Sequence, residues 1–264
     1  MSDRELILAH FSIRNATFDE RVEAAAAAGF DGIGLNAGTF PQLQQEGWTV
    51  DSMQARLDDV GIAIREMEAL RIFDTSGAEL VFELVEAFRP LHVQVIAPFD
   101  GDVPIDEAGE RFAALCQRAQ PYGTNLAFEF LPFTPIRTAA QALAIIEAAG
   151  NPPNGGLCVD SWHVFRGVGL DQLAVVPPER VAVVQLDDGP MIPVLEDYLQ
   201  DTLHYRDLPG EGEFDLVRFL RALPAEAPLS LEVIDDDLDL LPPAEAVALI
   251  ADATRRLLAE VETG

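Results

Sequence analysis

The chain has 264 residues, 49% of them apolar, so it is long enough and apolar enough for one large α/β domain with a full core. Its formal net charge of −28 excludes a nucleic-acid partner, because a phosphate backbone is bound by a basic surface. All 17 basic residues are arginine, which excludes catalysis through a lysine Schiff base. A carbonyl substrate would therefore need a metal ion or hydrogen bonds for its activation.

The compartment is predicted from what the sequence lacks. No apolar run reaches the roughly 18 residues of a transmembrane helix, and the start, MSDRELILAHFSI, has no basic segment of the kind that opens a signal peptide. The two cysteines, Cys116 and Cys158, do not have the spacing of a metal motif. We therefore expect a cytoplasmic protein with buried, reduced thiols and no membrane partner.

Short β-rich runs alternate along the chain with amphipathic segments of helical period. Eight runs predict strands: ELILAHFSI (5–13), DGIGLNA (31–37), IAIREMEAL (62–70), HVQVIAPF (92–99), NLAFEFLP (125–132), GGLCVDSW (155–162), VAVVQLDD (181–188) and LSLEVI (229–234). The segments that predict helices are TFDERVEAAAAAGF, VDSMQARLDDVG, AELVFELVEAFRP, IDEAGERFAALCQRAQ, TAAQALAIIEAA, LDQLAVV, FDLVRFLRAL and AEAVALIADATRRLLAEVE. The expected N-caps are Thr17, Asp51, Thr138 and Asp215.

Eight βα units in a chain of this length are typical of a TIM barrel, so we predict a single (β/α)8 domain over residues 1–264. A doubly wound open sheet is the alternative, and the lack of a glycine-rich phosphate loop after the first strand disfavours it. The longest connector, DGPMIPVLEDYLQDTLHYRDLPGEGEFD, lies between strands seven and eight. Connectors of this length are often functional.

Polar side chains stand at the ends of the last four predicted strands. In a TIM barrel the chemistry lies at the carboxyl ends of the strands, and side chains alternate between the two faces of each strand. Four oxygen donors are therefore expected to meet at one mouth: Glu129, Asp160, Gln185 and Glu232. Glu129 is a lone carboxylate inside LAFEFL, and a buried carboxylate must be paired, protonated or bound to a metal.

Three carboxylates and one carboxamide form a hard ligand set. This set suits one divalent ion, Mn²⁺, Mg²⁺ or Co²⁺, better than a structural zinc. Without a cation the three carboxylates would repel one another and raise their pKa values. The alternative is a set of strand-end acids that pair with arginines.

The chain resembles the xylose isomerase-like TIM-barrel superfamily, which includes sugar phosphate isomerases and epimerases, inosose dehydratase, 3-dehydroshikimate dehydratase and, more distantly, endonuclease IV. The resemblance covers essentially the whole chain. It is strongest in LAFEFLP, GLCVDSWHVFRG, VAVVQLDDG, LPGEGEFD and PLSLEV, which carry in order a Glu, Asp-x-x-His, a ligand-x-x-Asp and a final Glu. This order is specific for the superfamily and not for one of its members.

The resemblance implies that Glu129, Asp160, Gln185 and Glu232 hold one metal ion, and that the extra histidine of the family is His163. Many epimerases have histidine where this chain has Gln185, and glutamine there is closer to some dehydratases. The endonuclease branch is rejected because it needs a histidine-rich three-zinc site and a basic groove, whereas this chain has only 4 histidines.

The chemistry implied by the resemblance is proton abstraction next to a carbonyl on a small polyhydroxylated substrate. In an isomerase or epimerase, which is the leading hypothesis, Glu129 and Glu232 would deprotonate and reprotonate the substrate from opposite sides. In a dehydratase, the alternative, His163 would be the natural acid or base; it could instead only orient Asp160 or the substrate. A non-catalytic binding or partner subunit is the third hypothesis. Barrels of this type often form homo-oligomers, although the sequence itself carries no assembly motif.

Further residues near the predicted mouth are candidates for substrate binding. His10 ends the first strand, where it could contact the substrate or cap the strand. Glu68 and Arg71 end the third strand and could bind the substrate or form an ion pair with each other. Trp162 is expected to wall the pocket.

Arg206 lies in HYRDLPGEG, shortly before the last strand. In so acidic a chain, its guanidinium could bind a carboxylate or phosphate of the substrate in a bidentate manner. A structural ion pair with Glu211 or Glu213 is the alternative.

Overall fold

A computed structural model describes residues 4–263, with the side chains of 75 and 76 set aside. Residues 1–3 lie outside the described residues. They open the segment that was assessed above for a signal peptide. Eight parallel strands pair in chain order, and the last pairs with the first to close a barrel. The strands are β1 Leu6–Leu8, β2 Gly32–Asn36, β3 Ala63–Arg71, β4 His92–Ile96, β5 Asn125–Glu129, β6 Gly155–Asp160, β7 Val181–Leu186 and β8 Leu229–Leu231. The predicted TIM barrel is confirmed.

Helices cover the outside of the barrel. They are α1 Phe18–Ala27, α2 Phe40–Gln45, α3 Val50–Val60, α4 Thr75–Phe88, α5 Ile105–Ala119, α6 Ala139–Ala148, α7 Ser161–Arg166, α8 Tyr198–His204, α9 Leu216–Arg221 and α10 Pro243–Thr263. Three of these, α2, α7 and α8, were not predicted, since two turns or fewer are too short for a helical period to show. LDQLAVV forms a 3₁₀ helix, Leu170–Val175, where an α-helix was predicted.

Helix starts follow the local chemistry of the N-cap. Thr17, Thr138 and Asp215 each accept a hydrogen bond from a backbone N–H of the first turn, as predicted. The prediction for Asp51 is wrong, because the side chain of Thr49 caps α3 and Asp51 lies within its first turn. The helix dipole favours an acidic residue in the first turn, which is why Asp51 resembles an N-cap in the sequence.

The strands point alternate residues toward the helices and toward the barrel axis. Val93 and Val95 belong to the large core between the strands and the helices. Ala127, Cys158 and Val183 form a separate small apolar cluster. Since side chains alternate along a strand, Glu129 shares the face of Ala127 and points toward the axis.

One irregularity interrupts the alternation, in β3. Met67 pairs with Val93 and Leu70 pairs with Val95, so three steps along β3 match two steps along β4. This β-bulge adds one residue and reverses which face the following residues occupy. Arg71, the last residue of β3, therefore pairs with Ile96 on the inner face.

Both cysteines are free and buried, as expected. None of the helices within residues 4–263 combines the length and apolar character needed to cross a bilayer.

Candidate active site at the barrel mouth

A cavity of about 360 Å³ opens at the carboxyl ends of the strands. Glu129, His163, Arg206 and Glu232 line its floor, and Arg71 lies on its wall with apolar residues such as Phe99, Phe133, Leu199 and Ile234. Asp160 and Gln185 are fully buried beside it and are register neighbours on β6 and β7. A reactive centre here would be screened from bulk water.

Shared hydrogen-bond and ion-pair partners bring the four predicted oxygen donors together. The Nε2 of Gln94 donates to Glu129 Oε2 at 2.9 Å and to Gln185 Oε1 at 3.2 Å. The Nη1 of Arg206 lies 2.9 Å from Glu232 Oε2 and 3.3 Å from Asp160 Oδ2. The predicted convergence at one mouth is therefore present in the geometry.

His163 connects the two halves of this set. Its Nε2 lies 3.5 Å from Glu129 Oε1 and 3.6 Å from Asp160 Oδ2. Its Nδ1 lies 2.8 Å from the hydroxyl of Tyr198. If Nδ1 carries the proton and donates it to that hydroxyl, Nε2 keeps a free lone pair directed at the carboxylates.

Asp160 fixes His163 through the start of α7. One of its oxygens, Oδ1, accepts hydrogen bonds from the backbone N–H of Trp162 at 2.6 Å and of His163 at 3.4 Å. The other oxygen, Oδ2, faces Arg206 and the imidazole. The strand ends and the helix begins at Asp160, which explains why Asp160 and His163 follow each other so closely in the sequence.

Arg206 is buried among carboxylates. Beyond Asp160 and Glu232, its Nη1 also forms a short ion pair with Asp187, whose carboxylate accepts from Ser161 Oγ at 2.7 Å. The predicted ion pair with Glu211 or Glu213 is wrong.

The two predicted partners of Arg206 are engaged elsewhere. Glu211 pairs with Arg256, and Glu213 accepts from the backbone N–H of Met191. The sequence places both glutamates near Arg206 along the chain, but the barrel brings acids from other strands closer.

Burial dominates the electrostatics of the cluster. It raises the pKa values of Glu129, Glu232 and Asp187 well above their usual range, and neighbouring carboxylates add to the effect at each of them. Burial also lowers the pKa of His163 to about 4, although Asp160 opposes this. Arg206 keeps its proton, because Glu232, Asp187 and Asp160 outweigh the cost of burial and raise its pKa.

The residues at the mouth fit a divalent cation. Glu129, Asp160 and His163 each offer a ligand atom, and these atoms lie within 4.8 Å of one another. Among the described residues, Arg206 is the one arginine in ion-pair contact with Asp160, Asp187 and Glu232, so a single guanidinium faces three carboxyl groups. The Oε1 of Gln185, the amide atom that can ligate a cation, accepts from Gln94 Nε2 at 3.2 Å and from Cys158 Sγ at 3.1 Å, and the Nε2 donor of Gln185 has no partner among the described residues.

Two residues predicted to bind the substrate lie away from this cavity. Trp162 is fully buried and donates from Nε1 to Thr202 Oγ1 at 2.8 Å, so its predicted place in the pocket wall is wrong. Glu68 is buried behind the mouth, where its Oε1 accepts from the backbone N–H of His10 at 2.8 Å. Hence Glu68 supports the loop after β1.

His10 and Arg71 have different surroundings. His10 lines a neighbouring cavity between the first two strands and α1, and burial lowers its pKa to about 3. Arg71 lines the mouth cavity itself. Within residues 4–263 no ion pair joins Arg71 to Glu68, so the alternative of a mutual ion pair is wrong.

Three residues of the site were not predicted: Gln94, Asp187 and Tyr198. Gln94 is a polar residue between the two valines of HVQVI, and Asp187 continues the alternation of Val183 and Gln185 by one step, so both patterns could have indicated them. Tyr198 lies 35 residues after His163, and only the folded connector brings it there.

A family model described as xylose isomerase-like TIM barrel matches residues 22–257. The chain belongs to this family. The 3-dehydroshikimate dehydratase of Pseudomonas aeruginosa is 30% identical over 239 residues, which are 84% of this chain and 37% of that protein. The inosose isomerase of Bacillus velezensis is 33% identical over 119 residues, which are 44% of this chain and 41% of that protein.

The matched part of the chain thus spans about two fifths of the length of each of these curated relatives. A crystal structure of an IolI protein with a bound zinc atom has a TM-score of 0.83 and 20% identity, and the match covers 98% of this chain and 100% of that chain. This likeness supports the fold alone.

Proposed function

We propose that the chain is a divalent-metal-dependent dehydratase that eliminates water from a small polyhydroxylated ketone of the 3-dehydroshikimate type. The observation that carries the proposal is the placement of Glu129 next to His163, with 3.5 Å between Oε1 and Nε2. Glu232, the second glutamate that an epimerase would need, is instead held by Arg206. An acid and a base side by side suit the transfer of one proton from carbon to a leaving hydroxyl on the same side of a substrate.

The two groups divide the elimination between them. Glu129 takes the proton from the carbon next to the carbonyl, and the C–H electron pair moves into the carbonyl system. The neutral His163, with Nδ1–H donated to Tyr198, accepts this proton at Nε2 and delivers it to the leaving hydroxyl. The C–O bond breaks, water leaves, a carbon–carbon double bond forms, and both side chains return to their starting state.

The metal site that we propose consists of Glu129, Asp160 and Glu232, with Oε1 of Gln185 as fourth ligand, because Gln94 bridges that oxygen to Glu129. His163, which offers a ligand atom together with Glu129 and Asp160, is the competing ligand. A divalent ion bound there supplies a Lewis acid that polarises the substrate carbonyl. Mn²⁺, Mg²⁺ and Co²⁺ suit the oxygen ligands, and zinc belongs in the metal analysis because the IolI protein binds it.

The function is tested by incubating the metal-loaded protein with 3-dehydroshikimate and following ultraviolet absorbance and water loss. We expect a new conjugated chromophore that does not form after chelation. Solvent deuterium incorporation without water loss would contradict the dehydratase. That result would support the second candidate, an isomerase or epimerase, which the similarity to inosose isomerase favours.

The role of His163 is tested by His163→Asn. Loss of a proton-transfer group lowers kcat by roughly 10²–10⁴-fold, and the metal content is expected to stay unchanged. Loss of the metal together with activity would instead make His163 a ligand. Tyr198→Phe is the matched variant, because it keeps the imidazole and removes only the hydroxyl partner of Nδ1.

A further inference from the structure

The bulge in β3 decides where Arg71 points. In a regular strand Met67, Ala69 and Arg71 would share the outer face, because side chains alternate. Leu70 is instead packed in the outer core, and Ala69 and Arg71 line the mouth cavity. The extra residue between Met67 and Leu70 thus brings a guanidinium to the cavity that the plain alternation would have placed against the helices.

The guanidinium of Arg71 is available for a ligand. The Cζ of Arg71 lies 4.7 Å from the centre of the Phe99 ring, which also lines the cavity. Arg71 is exposed to solvent. Within residues 4–263 its side chain forms no ion pair and no hydrogen bond. An unpaired arginine beside a cavity is notable in a chain with a net charge of −28.

The arginine and the acids of the cavity lie on different strands. Arg71, Ile96 and Glu129 are register neighbours on three adjacent strands, so the Cα atoms of Arg71 and Glu129 lie about 10 Å apart. The guanidinium of Arg71, which lies over the Phe99 ring at the wall, would attract an anionic group of a ligand.

We propose that Arg71 binds a carboxylate of the substrate and thereby selects a carboxylated hydroxy-ketone over a neutral one. The carboxylate points to the wall, and the ketone and its neighbouring hydroxyls point to Glu129 and His163. A planar guanidinium resting on an aromatic ring can meet a carboxylate with two parallel N–H groups. The inference rests on the proposed dehydratase and names the substrate class for the same cavity.

Binding is tested with shikimate, which lacks the ketone and so does not react, and with its neutral methyl ester. Titration calorimetry on metal-loaded protein compares the two ligands in Arg71→Leu and Arg71→Lys. Arg71→Leu is expected to weaken the affinity for shikimate about tenfold and to leave the affinity for the ester within about twofold. The reason is that a charge-assisted hydrogen bond is lost only for the acid. The affinity of Arg71→Lys for shikimate is expected to lie between those of the unaltered protein and Arg71→Leu.

The matched control is Arg111→Leu, because Arg111 also lies over a phenylalanine ring, at 5.0 Å from Phe73, but does not line the mouth cavity. It is expected to leave both affinities unchanged. Equal losses for acid and ester, or no loss for either, would overturn the assignment. A phosphate is tested as the alternative anion by comparing the affinities for dihydroxyacetone phosphate and dihydroxyacetone. If only the affinity for this phosphate, and not that for shikimate, depends on Arg71, the proposal of a carboxylate site is overturned.

These outcomes are separate from that of the proposed function. If shikimate binding depends on Arg71 but 3-dehydroshikimate is not dehydrated, the reaction class fails and the carboxylate site stands. If dehydration occurs and Arg71→Leu changes neither shikimate affinity nor the KM, the carboxylate site fails and the reaction class stands.

Discussion

The barrel holds two buried groups of acidic side chains with different surroundings. At the mouth, Glu129, Asp160 and Glu232 face a cavity, an imidazole and a guanidinium. Deeper inside, Glu66 accepts from Ser230 Oγ at 2.9 Å and lies 2.7 Å from His92 Nε2, while Glu68 accepts from the backbone of His10. Burial raises the pKa values of Glu129 and Glu232 at the mouth and of Glu66 and Glu68 inside, but of these described residues only the mouth pair lines a cavity that is open to a ligand.

The comparison shows that a raised pKa alone does not mark a reactive site. Burial raises the pKa values of Glu66 and Glu68, and the neighbouring Glu66 adds to the effect at Glu68, so this pair favours a protonated state. Gly34 leaves the room for them, because a Cβ there would come within 2.7 Å of Glu68 Oε1 and 3.0 Å of Glu66 Oε1. The inner pair is packed against Ser230, His92 and the backbone of His10, whereas the mouth group faces a cavity that a cation could enter.

The largest effect that would separate the two groups is expected from Glu129→Gln. The amide keeps the size of the side chain but can neither accept the substrate proton nor provide a charged metal ligand. We expect kcat/KM for 3-dehydroshikimate to fall by roughly 10²–10⁴-fold. Metal content, measured by plasma mass spectrometry on the same sample, is expected to fall as well. If Glu129→Gln keeps both its kcat/KM and its metal content, Glu129 is neither the base nor a metal ligand.

Much of the site could be predicted because strand ends and alternation are local properties. Glu129, Asp160, Gln185 and Glu232 follow apolar runs, and a closed parallel sheet brings the ends of such runs to one rim. Closure itself follows from eight repeating βα units. No residue-level knowledge of the helices is needed for this step.

The errors have a common cause, which is that they depend on contacts between distant segments. Trp162 follows Asp160 closely, yet α7 turns its ring into the core toward Thr202. For Arg206, an ion pair with glutamates near it in sequence was the alternative to substrate binding, but acids at the ends of three strands surround it. The position of Arg71 depends on a bulge, and IAIREMEAL contains no glycine or proline to indicate one.

A second, smaller effect is expected in the pH dependence of stability. In metal-free protein, Glu129, Glu232 and Asp187 bind protons more tightly folded than unfolded, because burial raises their folded pKa values. Stability should therefore fall as pH rises from the ordinary carboxyl pKa, about 4, toward the raised values. Metal binding needs deprotonated ligands, so its stabilising effect should grow over the same pH range.

Thermal unfolding with a chelator and with excess Mn²⁺, at about pH 5.5 and pH 8, measures this effect. At a hundred times Kd the ion adds about 2.7 kcal/mol, which corresponds to a Tm rise of roughly 5–10 °C for a chain of this size. The rise should be larger at the higher pH, and Glu129→Gln should abolish that difference. An equal rise at both pH values would contradict a metal held by the buried carboxylates.

The smallest effect is expected from Glu66→Gln, which tests whether the inner group is independent of the mouth. Burial raises the pKa of Glu66, so a neutral amide of the same size resembles its protonated form and can still accept from Ser230. We expect kcat/KM and metal content within about twofold, and unfolding free energy within about 1 kcal/mol, the size of one net hydrogen bond. Glu66→Ala is the control for packing, since it leaves Ser230 and His92 without their partner and should cost about 2 kcal/mol or more. A loss of activity above tenfold in Glu66→Gln, with fold and metal content intact, would contradict the independence of the two groups. The reaction at the mouth would then depend on a proton held deep in the barrel.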